Sequence, residues 1–452
     1  MRMSVFGIIK KIFRKSSLLV IIIVMTFYVT EWKNAAYWKQ QRILANDVIC
    51  YYNYLPAAFI YHDLSFKDKP VRGGYSITND GKRVEKMSMG ISYFYAPFFF
   101  AAMAYVKAAR LPMNEYSMPF EFAISLSSLV FALLAMIVLR KVLLMFFSDA
   151  VAAFVILTIF AGTNIFFYSV YQGPMSHVYN FFLYSCLLYL TVRWHEKPSI
   201  KYSVLAGLVI GVTVLARPTN IVVLIVPILF GIISRETLLA KLALIRQHWM
   251  KLVIVAFVAF LAWVPQFIYW KSYTGHWLVY SYGKESFFWA NPHIILGLFG
   301  YRSGWLVYSP LMVLSLVGIL FLWKYQRKFF FPVLIFFFVS IYVIFSWWCY
   351  WYVGFGLRAM IESTAILALP LGAFFTWLFA RKWYLKTIFF LLFFGFIELN
   401  LFQTWQYAAG LIHYDGMNKK LYWTMFFKRT WPADYGQLVN RPDYEKAGKG
   451  QD

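Results

Sequence analysis

Five short stretches of this sequence set ionisable side chains among Gly, Pro and aromatic residues, between long apolar runs. Asn46-Asp47 opens the aromatic segment Val48-Ile49-Cys50-Tyr51-Tyr52-Asn53-Tyr54-Leu55-Pro56. A carboxylate there can act as a general base toward a hydroxyl, although an Asp at a helix start also serves as a cap. Glu85-Lys86-Met87-Ser88-Met89-Gly90 offers Lys86 as a compact positive charge for a phosphate, or as an anchor snorkelling to an interface. Gly173-Pro174-Met175-Ser176-His177 sets a His at the entry of an apolar run, where it can pack or touch a ligand. Tyr301-Arg302-Ser303-Gly304-Trp305 and Gly354-Phe355-Gly356-Leu357-Arg358 each supply a guanidinium, the group best matched to bidentate phosphate contact. An acid, an imidazole and several cations gathered on one face would suit transfer from an anionic donor.

The elements that must carry them are membrane helices. Of the 452 residues, 61% are hydrophobic, 22% aromatic and only 14% charged. Globular chains carry about 25% charged residues, and several runs here reach the ~20 residues a helix needs to span hydrocarbon. The formal charge is +24, with 43 Lys plus Arg against 19 Asp plus Glu. Because the cations flank apolar spans, positive-inside topology and anionic lipid head groups explain them, and nucleic acid does not. The three cysteines, Cys50, Cys186 and Cys349, fit neither a zinc spacing nor a disulfide framework.

Apolar runs near 17–32, 119–141, 149–170, 177–194, 202–216, 218–234, 252–270, 304–323, 329–347, 359–380 and 387–403 predict an all-α polytopic protein with about eleven transmembrane helices. The basic stretch Lys10, Lys11, Arg14, Lys15 before the first run reads as a retained signal anchor with a cytoplasmic N-terminus. The basic clusters at Arg140/Lys141, Arg193/Lys197/Lys201, Arg235/Lys241/Arg246/Lys251, Lys324/Arg327/Lys328 and Arg381/Lys382/Lys386 then share that side. The parity holds only if the apolar run 90–108, which contains Pro97, lies at the outer interface or re-enters from it, and if Arg217-Pro218-Thr219-Asn220 is an outer turn. The five motifs all fall on the outer side. Three units are expected: 1–270 as a catalytic core with outer loop 33–118, 271–403 as a more variable half, and 404–452 as an outer tail.

There is no P-loop, GxGxxG or HExxH, and no deep run of charges suited to a proton relay or voltage sensor. The order of features resembles the GT-C superfamily of membrane glycosyltransferases, which includes protein O-mannosyltransferases and the lipid A aminoarabinose transferase. What carries the resemblance is the acid at Asp47 after the first helix, the long outer loop with interfacial helices, the Lys motif at 85–90, and the Tyr-Ser-Pro and Gly-x-Arg motifs of the second half.

The resemblance implies that Asp47 is the catalytic base and that Lys86, with Arg302 and Arg358, contacts the donor phosphate. His177 stands where many relatives carry a second acid; it and Tyr51 are expected to touch substrate. The donor would be a polyprenyl-phosphate sugar, and the acceptor a hydroxyl of a lipid, glycan or protein. A phosphate leaving group needs less help from a general acid than an ordinary glycoside does. Without a DxD motif no metal is expected, nor any other cofactor. The implied location is the bacterial inner membrane, with the active site on the periplasmic face. Two other functions compete: a polysaccharide polymerase or ligase acting on lipid-pyrophosphate oligosaccharides, and a lipid-glycan transporter.

Overall fold

The computed structural model describes residues 15–65, 74–77 and 83–451; Lys10, Lys11 and Arg14 of the expected anchor lie outside them. The protein is helical and polytopic. Each apolar run assigned as a span is wholly or largely helix: α1 (Ser16–Ala35), α4 (Met118–Leu143), α5 (Asp149–Gly162), α6 (Ser176–Glu196), α7 (Ile200–Ala216), α8 (Ile225–Leu229), α10 (Trp249–Thr274), α11 (Met312–Tyr325), α12 (Phe330–Phe345), α13 (Ser363–Phe379) and α14 (Trp383–Ala408). Between them lie α2 (Asp47–Tyr52) and α3 (Ser92–Ala108) in the long connection from α1 to α4, and the amphipathic α9 (Arg235–Gln247). Strands β1 (Tyr75–Ile77) and β2 (Arg83–Glu85) form a small antiparallel ribbon, with Tyr75 opposite Glu85.

Local chemistry starts and stops several of these helices. Ser148 and Ser199 accept from the backbone N–H of Val151 and Tyr202, capping α5 and α7, and Ser234 and Thr237 form a capping box on α9. Gly275, at φ +77°, ends α10.

Small residues then let backbones touch. A Cβ added at Gly207 or Gly211 of α7 would lie 2.5 or 2.6 Å from the carbonyls of Val255 and Ala259 on α10. This four-residue glycine spacing is a membrane packing device, where close backbone approach replaces the hydrophobic drive that lipid cannot supply. The α7–α10 contact is accordingly the most extensive between any two elements. Gly318 of α11 does the same against the Pro370 carbonyl of α13.

Exposure separates lipid-facing from protein-facing helices. α10 and α14 leave Phe257, Phe260, Leu391 and Leu392 bare, whereas α13 is buried along most of its length. Among the described residues, six helical segments are long and apolar enough to cross by themselves, and Met89–Ala108 is one of them. Its contacts fix its neighbours. Phe94 packs on Phe131 and Phe99 on Phe120, so α3 runs antiparallel to the first half of α4. Its start is tied to the end of α7, where Ser88 donates to the Leu215 carbonyl.

Candidate active site

Asp47 is the first residue of α2, and Asn46 before it sits at φ +51° with no side-chain cap bond. The segment leading in is held from α4, where the buried Glu121 carboxylate accepts from the backbone N–H of Ile43 (2.8 Å) and Leu44 (3.3 Å). Instead of capping its helix, the Asp47 carboxylate faces Arg358, with Nη1 to Oδ2 at 2.9 Å.

Arg358 is delivered by a loop that only glycine permits. Gly354 and Gly356 have φ of +153° and +59°, and a Cβ on Gly354 would fall 2.5 Å from the Tyr168 hydroxyl. Asn164, just past α5, donates to the carbonyls of Phe355 (3.0 Å) and Gly356 (2.6 Å), while the Tyr168 hydroxyl accepts from the Phe355 N–H. The guanidinium is fixed in turn by donating from Nε to the Tyr352 carbonyl at 2.8 Å.

Lys86 follows β2 in a loop pinned from both ends. Met89 N–H donates to Gln266 of α10 at 2.8 Å, and the Lys86 carbonyl accepts from Ser281 at 2.7 Å. Its ammonium pairs with Glu285 at 2.5 Å. Behind it Glu85 is buried, accepting from Asn53 Nδ2 at 2.7 Å. Burial pushes the Glu85 carboxyl up to about 8.

His177 opens α6 and is buried, with Nδ1 3.0 Å from Glu362, which immediately precedes α13. The other Glu362 oxygen meets Arg217 at 3.3 Å. Glu362 thus reaches His177 from 185 positions along the chain.

These groups enclose one cavity of about 240 Å³, lined among others by Asp47, Tyr51, Lys86, His177, Arg217 and Arg358. A second cavity of about 500 Å³ shares Asp47, Lys86, Glu285 and Arg358, then opens toward Trp348, Tyr414 and Tyr444. Asp47 thus stands where the two spaces meet. Burial raises its carboxyl, but Arg358, Arg217 and Lys86 more than offset that and hold it below the usual carboxylate range.

Arg302 lines neither space; its guanidinium lies 5.0 Å over the Trp351 ring. Arg217 and Glu285 were not singled out from sequence. The signal for Arg217 was a cation at a Pro turn between two apolar runs, which the turn alone does not require. Glu285, in an aromatic loop, offers no comparable signal. Among the described residues no group of His, Cys, Asp and Glu could hold a metal ion.

Helix order and site placement can now be set beside known folds. No protein-family model matches the chain, and no curated protein does. A crystal structure of the oligosaccharyltransferase of Archaeoglobus fulgidus, in the apo form, superposes with TM-score 0.51 at 14% identity, covering 94% of this chain and 60% of that one. The fold is of the GT-C type. The same enzyme tethered to an acceptor peptide with the NVT sequon gives TM-score 0.49 at 15% identity, covering 94% and 59%. The chain therefore spans about 60% of the length of the GT-C neighbour it matches.

Proposed function

We propose that this protein is a membrane glycosyltransferase that moves a sugar from a polyprenyl-phosphate donor to an acceptor hydroxyl on the outer face of a bacterial inner membrane. One observation carries this reading: two carboxylates line both cavities, and while Glu285 is paired with Lys86, Asp47 stands against Arg358 where the two spaces meet, with Arg217 in the smaller.

In this reading the donor phosphate occupies the smaller cavity, with its lipid tail leaving toward the membrane past Trp263 and Trp270 of α10. At rest the cations are balanced: Lys86 by Glu285, Arg217 by Glu362, Arg358 by Asp47. An entering phosphate competes for Arg358, which frees Asp47 and makes it a stronger base. The acceptor oxygen then attacks the anomeric carbon and its proton passes to Asp47. The bond from C1 to the phosphate oxygen breaks, and Lys86, Arg217 and Arg358 stabilise the charge collecting on the departing phosphate. Attack opposite to the leaving group inverts the anomeric centre. His177 and Glu362 hold Arg217 in place.

The test is transfer from a short-chain polyprenyl-phosphate sugar library by purified protein, beside Asp47→Asn. The wild type is expected to consume donor, with the variant at least ~10²-fold slower, the lower end of what a positioned base contributes. Equal rates would remove Asp47 from the mechanism. Turnover only of lipid-pyrophosphate oligosaccharides would favour a polymerase or ligase.

A further inference from the structure

We infer that the acceptor is a carbohydrate, recognised by an aromatic wall that the C-terminal tail adds to the larger cavity; this rests on the transferase function proposed above. The tail is built to be rigid. In the last turn of α14, Gln406 donates to the carbonyls of Met425 and Lys428, both at 2.8 Å, folding the following chain back on the helix. The Tyr414 carbonyl accepts from the Gly354 N–H, which ties the tail to the loop that carries Arg358. The Tyr444 hydroxyl donates to the buried Asp415 at 2.7 Å, and its ring packs 6.2 Å from Trp348 and 5.8 Å from Trp351. Asn291 Nδ2 donates to the Gly450 carbonyl from the aromatic loop opposite.

The larger cavity has two unlike sides. One is the charged edge around Asp47. Beyond Asp47, Lys86, Glu285 and Arg358, the described residues of the lining carry no charge. It offers aromatic faces at Trp348, Tyr414 and Tyr444, and the neutral amides of Asn46 and Gln172. The buried Trp348 indole N–H has no acceptor among the described residues. Flat rings match the C–H face of a pyranose, while neutral amides and an indole N–H match its hydroxyls. An anionic acceptor would want cations here, and the tail side supplies none. An extended peptide is commonly held by strand addition, and no strand residue is among the described residues that line this space. At about 500 Å³ the cavity falls within the ~300–1,000 Å³ range of small-molecule sites. One sugar hydroxyl would point back to Asp47, give up its proton there, and form the new bond to the anomeric carbon as the donor phosphate leaves with the electron pair.

The experiment uses the full chain in lipid nanodiscs with polyprenyl-phosphate hexose donors. Acceptors are a panel of methyl glycosides and a short peptide containing Ser, Thr and Asn. Donor consumption into water is followed in parallel. Glycosides should accept, and Tyr444→Ala and Trp348→Ala should each raise the glycoside KM ~10-fold while moving the donor KM far less. Tyr444→Phe, which keeps the ring, should restore the glycoside KM. Saturation transfer to methyl glycosides should be seen with Asp47→Asn protein and lost when Tyr444→Ala is added. Asp47-dependent donor consumption with transfer to the peptide and to no glycoside would overturn the carbohydrate acceptor and leave the transferase standing. No donor consumption under any condition would instead overturn the transferase itself.

Discussion

The two cavities that meet at Asp47 are made of different material. The smaller is walled by α6, α10 and the turn that follows α7, and it gathers Arg217, His177 and, behind them, the buried Glu362. The larger is walled by loops and the tail, and away from their common edge it is aromatic and neutral. The contrast teaches a division of labour. Charge is costly to bury, so it appears where it has an anion to meet. Shape is cheap to build from rings, and it appears where hydroxyls must be sorted.

Substitutions can break this contrast from either side. The largest effect after Asp47→Asn is expected from Arg217→Gln. It should lower kcat/KM for the donor ~10²-fold, the magnitude seen when one stabilising donor is lost, with the acceptor KM little moved. An equal effect on both substrates would erase the distinction between the cavities.

Glu85→Gln probes the backing of Lys86. Because burial raises the Glu85 carboxyl to about 8, the folded chain holds that proton more tightly than the unfolded chain. Its contribution to stability is full below the ordinary carboxylate range and is lost as pH rises through about 8. A thermal midpoint that falls between pH 6 and pH 9 in the wild type, and falls less in Glu85→Gln, is the expected result. Parallel midpoint curves would show that Glu85 does not titrate there.

Glu285→Gln should lower the donor KM, roughly 3-fold, because it weakens the partner that occupies Lys86 before the phosphate arrives. An increase in donor KM would mean that Glu285 orders the site instead of competing for it. Arg302→Gln should change turnover less than ~2-fold and cost about 0.5–1 kcal/mol of stability, the worth of its contact with Trp351. A large loss of activity would return Arg302 to the phosphate site that the family resemblance suggested.

Much of the fold was legible because its signals are local. Twenty apolar residues are a span wherever they occur, so the runs behind α1, α4, α10 and α14 needed no tertiary information. The short runs at 202–216 and 218–234 were recovered through charge parity, and α7 and the helical turns from Pro218 to Leu229 occupy them. The packing of α3 was not legible, because an apolar run with one proline does not name its neighbour, and its contacts with Phe120 and Phe131 set it antiparallel to the first half of α4.

In the site, Asp47, Tyr51, Lys86, His177 and Arg358 were named from residue type and position, and the structure gathers them around one cavity. Arg302 was named by the same logic and faces elsewhere, since residue type says what a guanidinium can do and not where its loop turns it.

The sequence by itself determined a polytopic helical membrane protein with its chemistry on one face. That follows from hydropathy and charge, which act over a few turns of chain. Only the tertiary structure decided the partners: Asp47 with Arg358, 311 positions apart, His177 with Glu362, 185 apart, and Tyr444 of the tail beside Trp348. Such pairings depend on which glycines let helices touch and which loops Asn164 and Tyr168 hold. Those are properties of packing, and no local pattern encodes them.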